Sequence, residues 1–169
     1  LGVDLVFVVQ GAWSKASFGA TEAQLGQVFA LLGVAEFVGS LGSTLLVDRV
    51  GKKRAVLTGY SLTALSAALL PLSDSRWLLF LPLYFLFDLC YEFSIVSTFP
   101  LASGVAPAAR GTIMALSVLM TGSGRATGSQ VAEPLWHTFG IGATGLLSAS
   151  VVLVGVVLCW LMVREGEHT

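Results

Sequence analysis

Two acids, Asp88 and Glu92, lie four residues apart in an apolar stretch that also carries Tyr84 and Tyr91. At about 100° per residue, the four side chains fall within one third of the circumference of a helix. An ionisable group inside a membrane costs about a few kcal/mol or more, and such groups commonly mark proton relays or substrate contacts. This stripe therefore predicts a site that takes up protons, binds a cation or contacts a substrate.

A base and a third acid lie at a similar depth in other apolar stretches. By the rise of a helix, Glu36, Asp88 and Arg125 all fall within about one turn of the midplane. Two interpretations follow: either Arg125 pairs with Asp88 or Glu36 and only holds the helices together, or an acid faces a water-filled cavity and binds protons or a cation. Beside Arg125, the spacing of Gly124 and Gly128 allows another helix to approach closely.

The elements that must position these groups are helices that cross a membrane, each of which needs about 20 mostly apolar residues. The runs that qualify are 22–47, 55–72, 77–100, 112–132 and 141–163. A shorter run, 1–13, precedes them and carries Asp4, and Thr21 with Gln24 forms a capping box that starts the next helix. We predict an all-α, polytopic integral membrane bundle of six helices over residues 1–169, the first of them truncated. Since 55–72 and 141–163 carry no acidic or basic residue, we expect these two helices to face lipid.

Composition agrees with a membrane protein and excludes other classes. Hydrophobic residues make up 55% of the chain and charged residues 11%, with a mean hydropathy of +0.85, whereas about a quarter of a soluble domain is charged. The net charge of −1 offers no basic surface for nucleic acid. Cys90 and Cys159 lie in apolar runs and are interpreted as packing residues, and His137 and His168, in a loop and the tail, predict no metal site. Without a nucleophile and base motif, we expect no enzyme and no cofactor.

The densest charge in the chain is the stretch "DRVGKKR", residues 48–54. Lys and Arg in the short loops, assigned alternately to the two sides, divide six to two. The six are Arg49, Lys52, Lys53, Arg54, Arg110 and Arg164, and the two are Lys15 and Arg76. Because positive loops stay on the cytoplasmic side, residues 48–54 and the C-terminus are predicted to face the cytoplasm.

The stretch "TLLVDRVGKKR", residues 44–54, resembles the signature loop of the major facilitator superfamily: Gly, three residues, Asp-Arg, one residue, Gly-Arg, then Arg or Lys. The departures are Thr44 in place of Gly and Lys52 in place of Arg. The matching positions are Asp48, Arg49, Gly51 and Lys53. The runs "QGAW", "YEFSIVS" and "PAARGTIMAL" are similar to bacterial drug or sugar efflux members. The resemblance implies the C-terminal half of such a protein, helices 7 to 12, and a missing N-terminal six-helix half.

The resemblance implies secondary active transport of a small molecule by alternating access, as a proton-coupled exporter or antiporter of the plasma or inner membrane. Asp88 and Glu92 would contact protons or substrate, Arg125 would be their counter-charge, and Tyr84 and Tyr91 would line the cavity. The alternative is a non-transporting receptor or assembly subunit that keeps the fold.

The family's signature loop is thought to latch the two halves of the transporter, which implies a gating role for Asp48, Arg49, Gly51, Lys52, Lys53 and Arg54. We expect Asp48 to cap backbone N–H groups or to pair with Arg49 or Arg54. The alternative is that this stretch is only a topology signal.

Overall fold

The chain folds into α-helices in a computed structural model that describes residues 1–105 and 109–163. Arg164, His168 and the rest of the C-terminal tail, on which part of the topology prediction rests, lie outside the described residues. The helices are α1 (Asp4–Phe18), α2 (Glu22–Val50), α3 (Lys52–Leu69), α4 (Trp77–Val105) and α5 (Arg110–Met162), and a 3₁₀ turn, Leu70–Ser73, follows α3. Among the described residues, α2, α3 with its 3₁₀ turn, α4 and α5 are long and apolar enough to cross a membrane. The predicted all-α membrane bundle is confirmed.

The junctions between helices follow local signals in the sequence. α1 ends at Gly19, whose φ of 61° is in the left-handed region that favours glycine. The predicted capping box of α2 is present, since the Gln24 N–H donates to Thr21 Oγ1 at 3.3 Å and the Thr21 N–H to Gln24 Oε1 at 2.8 Å. Because the end of α1 and the cap of α2 lie so close together in sequence, the chain turns sharply between these two helices.

The predicted loop between the last two spans is wrong. The helix of α5 continues through Pro134 and His137 and breaks only at Gly140, with φ 73° and ψ −177°. A residue without a Cβ adopts such a backbone at little energetic expense, whereas the polar residues before it are compatible with a helix. Gly140 divides α5 into a first segment, 110–139, and a second segment, 141–162.

The helices pack so that α4 contacts α2 and α3, while α5 contacts α1 and α3. The prediction that both charge-free helices face lipid is wrong for α3. In its most apolar stretch 44% of residues are buried, compared with 28% in α2 and 17% in α5. Small residues explain this, because Gly59 lies against the Ser94 side chain of α4 and Gly145 of α5 lies against the Ala67 carbonyl. The absence of charge does not distinguish a face packed on another helix from one in lipid.

An aromatic cluster fixes α1 against α4. The rings of Trp13 and Phe80 meet edge to face at 5.0 Å, and Phe7 lies 5.5 Å from Phe87 and 5.7 Å from Tyr91. These contacts align α1 with the stripe of α4 that carries the two acids.

Candidate functional site

Asp88 lies near the middle of α4 and is almost completely buried, with 1% of its surface exposed. Its Oδ2 has no hydrogen-bond partner among the described residues, and neither has the hydroxyl of Tyr84 one turn earlier. Tyr84 is stacked between Phe80 and Phe87, at ring distances of 5.3 and 6.0 Å. The structure thus places Tyr84 in the aromatic cluster rather than on a cavity wall, with Asp88 at the end of that cluster.

The charged groups that act on Asp88 are two further acids, Glu36 of α2 and Glu92 of α4. Glu36 is exposed and Glu92 is half-buried, and Glu92 Oε1 accepts a hydrogen bond from Ser40 Oγ at 3.3 Å. None of the ion pairs among the described residues includes any of the three acids. Glu36, Asp88 and Glu92, called the acidic cluster below, therefore lie together without an ion-paired base in the described part of the chain.

Close contact between α2 and α4 brings the acidic cluster together. A Cβ at Gly39 would lie 2.8 Å from the Leu89 carbonyl oxygen and 3.0 Å from Glu92 Cβ, so only glycine fits without a shift of the backbone. One turn further along, the hydroxyls of Ser43 and Ser97 lie 2.8 Å apart. The two helices thus meet along small residues that carry Glu36 and Glu92 towards each other.

Of the two interpretations that the sequence left open, the one in which Arg125 pairs with Asp88 or Glu36 is wrong. Arg125 Nε lies 3.3 Å from Oδ1 of Asp4, at the start of α1. The Asp4 side chain is 9% exposed and that of Arg125 is 63% exposed. Two helices far apart in sequence are thus joined by a buried acid and a partly exposed base.

The helix approach predicted at Gly124 and Gly128 is present, and α1 is the helix that approaches. A Cβ at Gly128 would lie 2.8 Å from the Leu1 carbonyl oxygen and 3.0 Å from Asp4 Cβ, and one at Gly124 would lie 3.3 Å from the Leu1 nitrogen. The sequence therefore contained a signal for the partner of Arg125. A helix that packs on these glycines and starts in the short first run brings its acid, Asp4, within reach of Arg125.

A cavity of about 540 Å³ lies beside this ion pair, between the start of α1 and helices α3, α4 and α5. Most of its wall is aliphatic. Its polar side chains are Asp4, Tyr60, Tyr91, Thr98, Thr121 and Arg125. Of the residues that the sequence singled out, the cavity wall thus includes Tyr91 and Arg125 but none of the acidic cluster. Tyr60 was missed because it lies in a run without charge.

The signature stretch 48–54 is almost entirely helical. Gly51 alone separates α2 from α3, with φ 96° and ψ 134°, and its N–H donates to the Val47 carbonyl at 3.0 Å. Asp48 is exposed and takes part in no cap of α3 and in none of the ion pairs among the described residues, so its predicted cap or pairing with Arg49 or Arg54 is wrong.

The bases of this stretch are divided between the two helices. Arg49 ends α2, where a cation is favourable, whereas Lys52, Lys53 and Arg54 begin α3 and oppose its dipole. Lys53 Nζ donates to the Trp160 carbonyl at 2.9 Å, which ties the start of α3 to the end of α5. Stability of α3 alone therefore does not explain why three bases stand at its start.

The match to curated relatives covers only part of the length of each relative. The chain is 26% identical over 167 residues to the uncharacterised MFS-type transporter YceJ of Bacillus subtilis strain 168, which is 96% of the chain and 42% of that protein. It is 25% identical over 113 residues to the uncharacterised MFS-type transporter YwfA of the same strain, covering 67% of the chain and 27% of YwfA. To the inner membrane transport protein YajR of Escherichia coli K12 it is 32% identical over 77 residues, or 46% of the chain and 17% of YajR. The chain thus spans less than half the length of these relatives.

A family comparison covers the chain from end to end. No solved structure gives a significant match. The family model described as Major Facilitator Superfamily matches residues 1–169. Together with the helical membrane bundle and the signature stretch at the turn between α2 and α3, this match shows that the chain belongs to the major facilitator superfamily.

Proposed function

We propose that this chain is the C-terminal half of a secondary active transporter that exports a small molecule, of the kind moved by drug or sugar efflux proteins, in exchange for protons. Family membership and the names of the relatives, two of them MFS-type transporters and one an inner membrane transport protein, support transport. The observation that carries the proton-coupled mechanism is the burial of Asp88 without an ion-paired base within residues 1–105 and 109–163.

Asp88 has the surroundings of a group that gains and loses a proton. Burial of a carboxylate without a counter-charge costs roughly several kcal/mol of folding free energy, and uptake of a proton removes the charge. Glu36 and Glu92 add repulsion rather than relief. In alternating access, water that reaches Asp88 from one side would accept its proton, and closure of that side would favour its return. The exposed Glu36 and the half-buried Glu92 lie where they would pass protons to the surface.

Glu92 and Tyr91 extend the site along α4. Tyr91 lies on the cavity wall beside Arg125, whereas Glu92 is held by Ser40. We assign Glu92 to proton transfer and Tyr91 to substrate contact, which leaves Arg125 as a group that serves the substrate rather than Asp88.

The apolar cavity supports the proposal that this half is part of a larger protein. Its wall of aliphatic side chains is unsuited to water, and an apolar helical segment of the longer protein would bury it. The relatives are more than twice as long as the matched region, since this chain covers 42% of the most fully matched of them. We therefore assign the aliphatic wall of the cavity to a helix of the same protein, and its polar side chains Arg125 and Tyr91 to the substrate.

The signature stretch 48–54 is assigned to the cytoplasmic side of an inner membrane, together with the C-terminus. Its excess of basic residues favours that side. Exposed Asp48, which has no partner among the described residues, is available to the N-terminal half. In that arrangement the stretch would latch the two halves in one state of the cycle.

The test of proton coupling is flux through the longer protein in liposomes under a pH gradient, across a panel of small molecules. We expect Asp88→Asn to reduce gradient-driven flux by about 100-fold or more, since an amide cannot carry the proton. Glu133→Gln is the matched control because Glu133 is exposed on α5 and its side chain is 73% accessible. Unchanged flux in Asp88→Asn would refute the proton role, and substrate binding without any flux would favour a receptor.

The test of the cavity assignment uses a large side chain. Cys159 lines the cavity, whereas Val157, two residues earlier on α5, is 51% exposed on the outer face. In the longer protein we expect Cys159→Trp to lower the midpoint of thermal unfolding by roughly 5 °C or more, because overpacking costs about 1–3 kcal/mol. Val157→Trp should leave the midpoint within about 1 °C. Equal tolerance of both would show that no helix fills the cavity.

A further inference from the structure

The guanidinium of Arg125 is only partly used by the described residues. Its Nε faces Asp4 Oδ1 at 3.3 Å, and neither Nη group makes a hydrogen bond to a described residue. With 63% of the side chain exposed, the charged end lies at an open face of the bundle. Because a cation at this depth does not face lipid without a large penalty, that open face is expected to meet water, substrate or another part of the protein.

Asp4, in contrast, is buried and closely packed. Its side chain is 9% exposed, and the backbone that carries it is pressed against α5 at Gly128, where a Cβ would lie 3.0 Å from Asp4 Cβ. An acid fixed in this way can orient the planar guanidinium through Nε and leave the two Nη groups directed elsewhere.

The polar groups around Arg125 are mostly hydroxyls, which can donate as well as accept hydrogen bonds. Thr121, one turn earlier on α5, and Tyr91 of α4 line the same wall, and Asp4 is the one acid there among the described residues. Tyr91 lies near enough to Asp4 and Arg125 to interact electrostatically with both. Since Asp4 is already engaged, the unused hydrogen-bonding capacity of this region suits a ligand rich in acceptors.

We propose that Asp4 is a positioning residue that aligns Arg125 to bind an anionic group of the substrate, a carboxylate, sulfonate or phosphate, through its two Nη groups. A guanidinium fork binds such groups in a bidentate manner, which a lysine cannot do. The proposal rests on the proposed transport function, of which it names the substrate class, and it assigns Arg125 a partner outside the acidic cluster.

The test is calorimetric binding to the longer protein in a maltoside detergent, in which no phosphate headgroup is present. The probes are benzoate, benzenesulfonate and phenyl phosphate, with benzamide as the neutral isostere of benzoate. We expect at least one anion to bind at least about 10-fold more tightly than benzamide, since a hydrogen bond to a charged acceptor is stronger than one to a neutral acceptor.

The variants separate positioning from a purely structural role. Arg125→Gln should abolish the preference for the anion, Arg125→Lys should reduce it because the fork is lost, and Asp4→Asn should reduce it about 3- to 10-fold, with partial recovery in Asp4→Glu. A purely structural Asp4 would lower stability without changing the ratio of anion to benzamide affinity. An unchanged ratio in Arg125→Gln or Asp4→Asn, or no binding of any of the three anions, would overturn the proposal.

Two further measurements identify the source of a failure. Displacement of the bound anion by phosphatidylglycerol would overturn the substrate assignment in favour of a lipid headgroup. Glu133→Gln should leave anion affinity unchanged, because Glu133 is exposed and lies beside His137 rather than Arg125. If Asp88→Asn keeps gradient-driven flux while Arg125→Gln loses the anion, the proton mechanism fails and the anion site stands; the reverse result refutes the anion site alone.

Discussion

At both the α2–α4 and the α1–α5 interface, a glycine allows close packing of helices beside a buried acid. The charges that surround the two acids have opposite signs. At each, a glycine lets the backbone of an acid-bearing helix approach so closely that a Cβ would lie 2.8 Å from a carbonyl oxygen: Gly39 faces α4 and Gly128 faces α1. Asp4 of the second interface has Arg125 within 3.3 Å. Asp88, beside the first, is surrounded by Glu36 and Glu92.

The difference indicates that burial of an acid has two separate uses in this bundle. A buried acid with a base beside it is nearly neutral as a pair and gives geometric alignment, as in a structural or positioning role. A buried acid with only acids near it favours whichever protonation state removes its charge, as in a role that depends on proton exchange. Helix packing is therefore shared by the two interfaces, and the identity of the neighbouring charge separates their proposed functions.

The largest effect that the comparison predicts comes from the packing that the two interfaces share. Gly39→Ala and Gly128→Ala should each lower the free energy of unfolding by about 1–3 kcal/mol, because each added methyl meets backbone that cannot move aside. Gly33→Ala on α2 and Gly122→Ala on α5 are matched controls, since a Cβ at either position meets nothing within 4 Å.

Those controls should be neutral or more stable by up to about 1 kcal/mol, as expected for Ala in place of Gly in a helix. Thermal or denaturant unfolding of the purified protein in detergent measures all four variants. Equal stabilities of the tight and open positions would contradict the close contact at both interfaces.

The second prediction separates the interfaces by charge. Asp4→Asn should lower the free energy of unfolding by about 1–2 kcal/mol, less than for a fully buried pair because Arg125 is well exposed. Asp88→Asn should leave it within about 0.5 kcal/mol or raise it, because the change removes an acid that has no base beside it. The two variants make the same chemical change in the same unfolding assay. A larger loss in Asp88→Asn than in Asp4→Asn would reverse the assignment of roles.

Much of this arrangement followed from the sequence, and the remainder depended on contacts between distant parts of the chain. Depth along a helix is local information, so the placement of Asp88 and Glu92 on one stripe of α4 needed only the helical period. The approach of a helix to Gly124 and Gly128 was likewise local. The partner of Arg125 depended on which helix approaches, and that is decided by tertiary packing.

Tyr84 and Gly140 show the limits in another way. A tyrosine on a polar stripe can face a cavity or complete an aromatic cluster, and the rings of Phe80 and Phe87, which settle the matter, are also one turn away on the same face. A polar stretch with a proline, such as 133–139, suggests a loop by composition. It stays helical because its backbone still forms the hydrogen bonds of an α-helix. Only at Gly140 does the backbone leave the helical conformation.

The smallest expected effect concerns Ser40, whose hydroxyl is the one hydrogen-bond partner of the Glu92 carboxylate among the described residues. Ser40→Ala should lower stability by about 0.5–1 kcal/mol, since the hydrogen bond is long and its site is only partly buried. Ser129→Ala is the control, because that hydroxyl is exposed and bonds to the Ala126 carbonyl of its own helix.

In a double-mutant cycle, Ser40→Ala and Glu92→Gln should show a coupling of about 0.5 kcal/mol. The analogous cycle of Asp4→Asn with Arg125→Gln should give a larger coupling, because an ion pair rather than a single neutral donor is lost. If the Ser40 coupling were the larger one, Glu92 rather than Arg125 would be the more tightly held charge. The acidic cluster would then be the rigid interface of the two, contrary to the proton exchange proposed for it.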